Sequence, residues 1–167
     1  MLFRSVLLSK LPEKLIPDFG RWLDSTNTDV LLFSIQMTGS FRQQSSVSKL
    51  IQLLKSENES VRLAALKSIR SLNASQAEKN VIEIYPKENE EMKFEILKTL
   101  EAIGSLHSIS FLEKILQPPL HEYQLLIQAA RILLSLGNKG QEIIDNIFRN
   151  SGEEMQLIIN HAKDKRL

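Results

Sequence analysis

A period of about thirty-one residues constrains this chain more than any other feature of its sequence. The segment Val61–Asn73 (VRLAALKSIRSLN) is matched thirty-one residues later by Met92–Gly104 (MKFEILKTLEAIG), and thirty-three further on by Leu125–Gly137 (LLIQAARILLSLG). A weaker copy, Val30–Arg42, precedes the first by thirty-one residues, and a degenerate last copy starts at Met155. With the first residue of each copy as position 0, apolar or small residues return at positions 0, 5, 8 and 11. They are Val61, Leu66, Ile69 and Leu72, then Met92, Leu97, Leu100 and Ile103, then Leu125, Ala130, Leu133 and Leu136. At about 100° per residue these positions share one helical face. Position 12 is Asn73, Gly104 and Gly137, residue types that tolerate the left-handed conformation closing a helix.

A second helix precedes each copy. Position −7 holds Leu23, Leu54, Tyr85 and Phe148, and position −11 holds Phe19, Leu50, Val81 and Ile144. In the third interval a longer turn, 117–122, shifts the matching pair to Leu112 and Leu116. Polar links at 25–29, 56–60, 86–91 and 150–154 separate the two helices of each pair. Six Gly, five Pro and 6% aromatic residues agree with an all-α chain and against an all-β one. The expected fold is an α-solenoid of about five helix–turn–helix repeats near 12–43, 44–74, 75–106, 107–138 and 139–167, forming a single domain over 1–167.

The run LLKSENESVRLAAL at 53–66 resembles a HEAT repeat, in particular the short bacterial HEAT-like type. The resemblance covers the chain from about residue 12 to its end and is strongest from 45 to 105. It implies a right-handed α-α superhelix and an interaction scaffold. The chain departs from the family pattern in the turn between helices. The acidic residue usual there is replaced by Ser25, Ser56 and Lys87, so an Asp–Arg ladder is not expected.

The two ends differ. In the last copy the core positions 5, 8 and 11 carry Asn160, Lys163 and Arg166, a polar finish for a stacked array. At the other end Phe3, Val6, Leu7 and Leu11 make a short apolar helix. Residues 1–11 are expected to be the tail of an earlier repeat, within a longer protein, or an apolar N-terminal cap. This apolar face is a candidate for self-association. A signal peptide is not expected, because Arg4, Ser5 and Ser9 break an already short apolar run. No window approaches the roughly 18 apolar residues a spanning helix needs, so membrane insertion is not expected in this segment. The expected location is cytoplasmic, as a soluble domain either on its own or within a longer, membrane-anchored protein.

Composition removes several chemistries. Without cysteine there is no disulfide, thiolate metal site or thiol catalysis. A formal charge of +1 supplies no field to gather nucleic acid, and no nucleic-acid partner is expected. His107, His121 and His161 lack the spacing that places two ligands on one helix face, so neither metal nor other cofactor is expected. HEAT-like deoxyhypusine hydroxylases bind metal through repeated His-Glu pairs, whereas this chain has the single pair His121-Glu122. HEAT-like DNA glycosylases need a basic face with aromatics, which the near-zero charge and the lone Trp22, assigned to a core position, do not suit. Glu88, Glu90, Glu91 and Glu95 gather around a helix start, where the helix dipole favours acid.

Position 6, on the side opposite the core, reads Gln36, Lys67, Lys98, Arg131 and His161. Stacking would align these side chains as a ladder along the concave second-helix face. Small or polar neighbours (Ala64, Ser71, Ala102, Gln128, Ser135) would leave a groove beside it, with Glu95 and Glu101 cancelling part of the charge. This suggests a non-catalytic scaffold that binds another protein or an acidic peptide. The turn with Leu120 and Tyr123 is a secondary contact patch. The alternative is an accessory or lyase-type enzyme with a HEAT-like body, on fold analogy alone.

Overall fold

Three of the second helices begin at an asparagine three residues before position 0. Asn27 accepts from the amides of Asp29 (3.0 Å) and Val30 (3.1 Å), Asn58 from Ser60 (2.9 Å) and Asn89 from Met92 (2.9 Å). These bonds satisfy amides that a helix start leaves without partners. The later second helices start after Glu122 and Gly152, which make no such side-chain bond.

The protein is described by a computed structural model over residues 15–118 and 122–164. The expectations for residues 1–11, Leu120, His121 and Arg166 lie outside these residues. In chain order the α-helices are α1 (Thr28–Ser40), α2 (Val47–Leu53), α3 (Glu59–Ser71), α4 (Glu78–Ile84), α5 (Glu90–Ile103), α6 (Ile109–Ile115), α7 (Tyr123–Ser135), α8 (Asn138–Asn150) and α9 (Glu153–Lys163). A 3₁₀ turn, Phe19–Trp22, takes the place of a first helix before α1. The pairs are therefore this turn with α1, then α2 with α3, α4 with α5, α6 with α7, and α8 with α9. No strand occurs among the described residues, and the fold is of the all-α solenoid class.

The chain divides into two compact units, the first ending at Asn80 and the second starting at Val81. In the first, α1 lies along α3, the Phe19–Trp22 turn packs on α1, and α2 packs on α3. In the second, α7 is the hub, contacting α5, α6, α8 and α9. It is buried continuously from Leu125 to Ala130. The periodic core is where the spacing places it. Val61, Leu66, Ile69, Leu72, Met92, Leu97, Leu100, Ile103, Leu125, Ala130 and Leu133 are all buried, and Leu136 is half-buried.

Close packing depends on small residues. Ser46, Ala77, Ser108 and Gly140 stand at the starts of first helices, and all are buried. A Cβ at Gly140 would fall inside the van der Waals envelope of the Leu133 carbonyl, and one at Gly20 would collide with Ser46 Oγ. Between α1 and α3, a Cβ at Gly39 would stand 2.8 Å from Ser68 Oγ and 3.0 Å from Ser68 Cα. Ser68 Oγ also donates to the Ile35 carbonyl at 2.7 Å, a buried bond between the two helices.

Two expectations need correction. Trp22 is not a core residue: it is 45% exposed, and the buried position beside it is Leu23. Gly104 closes α5 with extended backbone (φ −67°, ψ 149°), its amide donating to the Leu100 carbonyl at 2.7 Å. The left-handed conformation is taken instead by Arg42 (φ 52°), Asn73 (φ 48°) and Gly137 (φ 78°). Arg42 occupies position 12 of the weaker copy and is exposed, and the helix stop there is closed by backbone hydrogen bonds, Arg42 to the Gly39 carbonyl at 3.3 Å and Gln43 to the Thr38 carbonyl at 3.0 Å, without Gly or Asn. That copy also diverges at its first residue, Val30, which is 41% exposed where Val61, Met92 and Leu125 are 2%.

Ile69→Ala and Leu133→Ala should each lower the unfolding free energy by about 2–5 kcal/mol in urea titrations, through lost burial and the cavity left behind. Gly140→Ala should cost about 2 kcal/mol or more despite adding one methyl, whereas Gly152→Ala, which meets open space, should stay within about 1 kcal/mol. Glu122→Asn should gain about 0.5–1 kcal/mol by supplying the missing cap, and Asn58→Ala should lose about 1 kcal/mol.

Candidate functional site

The close approach of α1 and α3 at Gly39 and Ser68 leaves a surface groove of about 490 Å³ above the contact. Leu32, Gln36 and Ser40 form one wall, and Leu63, Ala64 and Lys67 the other, with Ser71 at the end. Gln36 and Lys67, consecutive rungs of the expected ladder, therefore share one groove. Ala64 and Ser71 line it as the expected small neighbours. Lys67 is exposed and has no ion-pair partner among the described residues. No acidic residue lines the groove.

The rungs in the second unit behave differently. Lys98 is tied to Glu95 at 2.9 Å, and its ammonium lies 4.7 Å from the centre of the Phe94 ring. Arg131 is half-buried in a groove of about 620 Å³, whose lining also holds Glu101, Lys163 and Asp164. Glu95 thus pairs with one rung, while Glu101 shares the lining with Arg131 and accepts a hydrogen bond from Gln128. Gln128, expected beside the groove, is instead buried and donates to Glu101 at 2.9 Å, bridging α5 and α7.

His161 faces Tyr123. The phenol and Nδ1 are hydrogen-bonded, and the rings meet edge to face with centroids 5.8 Å apart. One rung of the ladder and one residue of the secondary patch therefore form a single contact between α7 and α9. Tyr123 remains 42% exposed. His107 pairs with Ser105 Oγ at 3.0 Å. No group of three or more His, Asp or Glu side chains that could hold a metal occurs among the described residues. Among the same residues no helix is long and apolar enough to cross a membrane.

A further groove, of about 500 Å³, was not anticipated. It lies between the end of α4 and α6, on the side of the first helices. Tyr85 and Phe111 meet edge to face at its base, centroids 5.0 Å apart. The sequence pattern marks Tyr85 only as a core residue, which it also is, at 4% exposure. Phe111 lies off the periodic positions, so the pattern carried no signal for the pair. Burial, and secondarily the Glu90 carboxylate, push the Tyr85 phenol up to about 12.

A folded-state value above the ordinary 10 means that the neutral phenol is the stabilised form. That stability is complete below about pH 10 and is lost as pH rises through about 12. Urea unfolding should therefore show a loss of up to about 2–3 kcal/mol over this window. Tyr85→Phe should remove that part of the slope. An identical slope in the variant would contradict the assignment.

A sequence profile of HEAT repeats matches residues 47–135, more than half of the chain. Among solved structures, the crystal structure of an engineered protein is similar, with a TM-score of 0.60 and 17% identity over 95% of this chain and 85% of that one. That likeness bears on the fold alone. No curated protein matches the chain. HEAT repeats generally act as protein-interaction scaffolds. The thirty-one-residue period, the succession of helical pairs and the profile match agree, and the chain belongs to the HEAT-repeat family.

Proposed function

We propose that the chain is a non-catalytic scaffold that holds an acidic segment of a partner protein in the groove between α1 and α3. The observation carrying this reading is the lining of that groove. It combines one exposed ammonium, Lys67, with apolar Leu32 and Leu63, small side chains, and no carboxylate. An extended peptide can lie against such a floor because Gly39, Ala64 and Ser71 leave it room. A carboxylate or phosphate on the peptide would meet Lys67, with the Gln36 amide as a second donor. Arg131 in its own groove is a lesser seat, since Glu101 and Asp164 share that lining.

The test is fluorescence anisotropy with an array of labelled peptides that carry Glu, phosphoserine or Gln in otherwise matched sequences. Wild type should favour the acidic members, with affinity falling as salt is raised. Lys67→Glu, checked for folding by circular dichroism, should weaken them by about tenfold or more. Equal binding by both proteins, or no preference for acidic over Gln peptides, would retire the reading.

A further inference from the structure

The groove between the end of α4 and α6 lies wholly within the second unit and owes nothing to Lys67. We propose that it is a separate docking site for a partner segment presenting a large apolar side chain next to a carboxylate. Its base is apolar and partly open. The edge-to-face pair of Tyr85 and Phe111 is continued by Ile82 and Ile115, and Ile82 and Phe111 are only half-buried. A volume of about 500 Å³ accommodates a Leu- or Phe-sized anchor together with adjoining backbone.

The rim sets where a carboxylate on the partner can sit. Lys93 and Lys114 line the groove against a single carboxylate, Glu83. Lys93 is held by Glu90 at 2.8 Å and lies 5.6 Å from the centre of the Tyr85 ring, so its ammonium is fixed beside the apolar base. Its attraction is largely spent on Glu90. Lys114 is exposed on α6 and has no ion-pair partner among the described residues. It is therefore the group that discriminates. A carboxylate next to the anchor gains Lys114, while one placed toward Glu83 is repelled. With one unpaired cation and one carboxylate, the rim fixes the register of the segment, its acidic side toward Lys114 and away from Glu83. Aromatic side chains with a cation at their border also match the composition of contact centres between proteins.

The test is selection of a displayed library of short random peptides on the full chain, followed by anisotropy with the enriched sequences. The expected result is an enriched pattern of a bulky apolar residue beside Asp or Glu. Those peptides should lose about tenfold or more in affinity to Lys114→Glu, a surface change that spares the core. Phe111→Ala, checked by thermal unfolding, should weaken the same peptides, and Lys67→Glu should bind them as wild type does. Peptides insensitive to Lys114→Glu would overturn the proposal, as would failure to enrich any sequence. Peptides lost only with Lys67→Glu would support the α1–α3 groove and overturn this one.

Discussion

Everything in this chain depends on how closely one helix can approach the backbone of another. At Gly140 the approach to the Leu133 carbonyl leaves no room for a methyl group, and at Gly39 the facing residue is Ser68, whose hydroxyl binds the Ile35 carbonyl. Burial of Leu and Ile supplies the driving force, but it is indifferent to geometry. The short contacts decide where along each helix the neighbour sits. Once that is set, the side chains at positions 0, 5, 8 and 11 meet each other and not solvent. The groove beside Gly39 follows from the same constraint. Two helices that touch at a glycine and a serine have short side chains on both sides of the contact, so an open channel runs above it.

This explains which parts of the structure were legible in the sequence. Apolar periodicity reports which face is buried, and so Leu66, Leu97 and Leu133 were placed correctly from spacing alone. It reports nothing about what lies one residue away, and Trp22, adjacent to the buried Leu23, was assigned to the wrong side. Helix stops were legible only in part. Composition identified Asn73 and Gly137, but Gly104 tolerates extended backbone equally well, and the exposed Arg42 takes a positive φ where the closing backbone hydrogen bonds of α1 require it, although its residue type does not favour it. The clearest overlooked signal was the asparagine at 27, 58 and 89. Its recurrence with the period of the core marks three helix starts, and the change to Glu122 and Gly152 marks where the capping chemistry lapses.

Charge was the hardest property to read, for a physical reason. A cation placed by the repeat acts on a partner only if its own helix has not already answered it. Lys98 and Lys93 each have a carboxylate three residues earlier, at 2.9 Å and 2.8 Å, and Lys163 lies 3.6 Å from Asp145. Such partly exposed pairs contribute little to stability, about 0–1 kcal/mol, yet they neutralise the field that a ladder would need. His161 is engaged in another way, by the phenol of Tyr123. Lys67 and Lys114 remain as single, local charges. Each lines a groove in a different unit, so the two proposed docking sites are separate and short.

The two seats differ in how they were made, and that difference bears on what they can hold. The α1–α3 groove is a by-product of stacking second helices. Its lining is set by position in the repeat, and its small side chains offer shape more than adhesion. The groove at Tyr85 and Phe111 arises where a core residue of one repeat reaches the border of its helical pair and meets a ring from the next. It offers aromatic surface, and its Tyr85 phenol is kept neutral by burial and by Glu90. A channel of short side chains suits an extended chain anchored by one charge, whereas an aromatic base suits a single large side chain. A repeat architecture can therefore present two unlike recognition chemistries without adding a domain, because the first and second helices of each pair show solvent different fractions of the same periodic sequence.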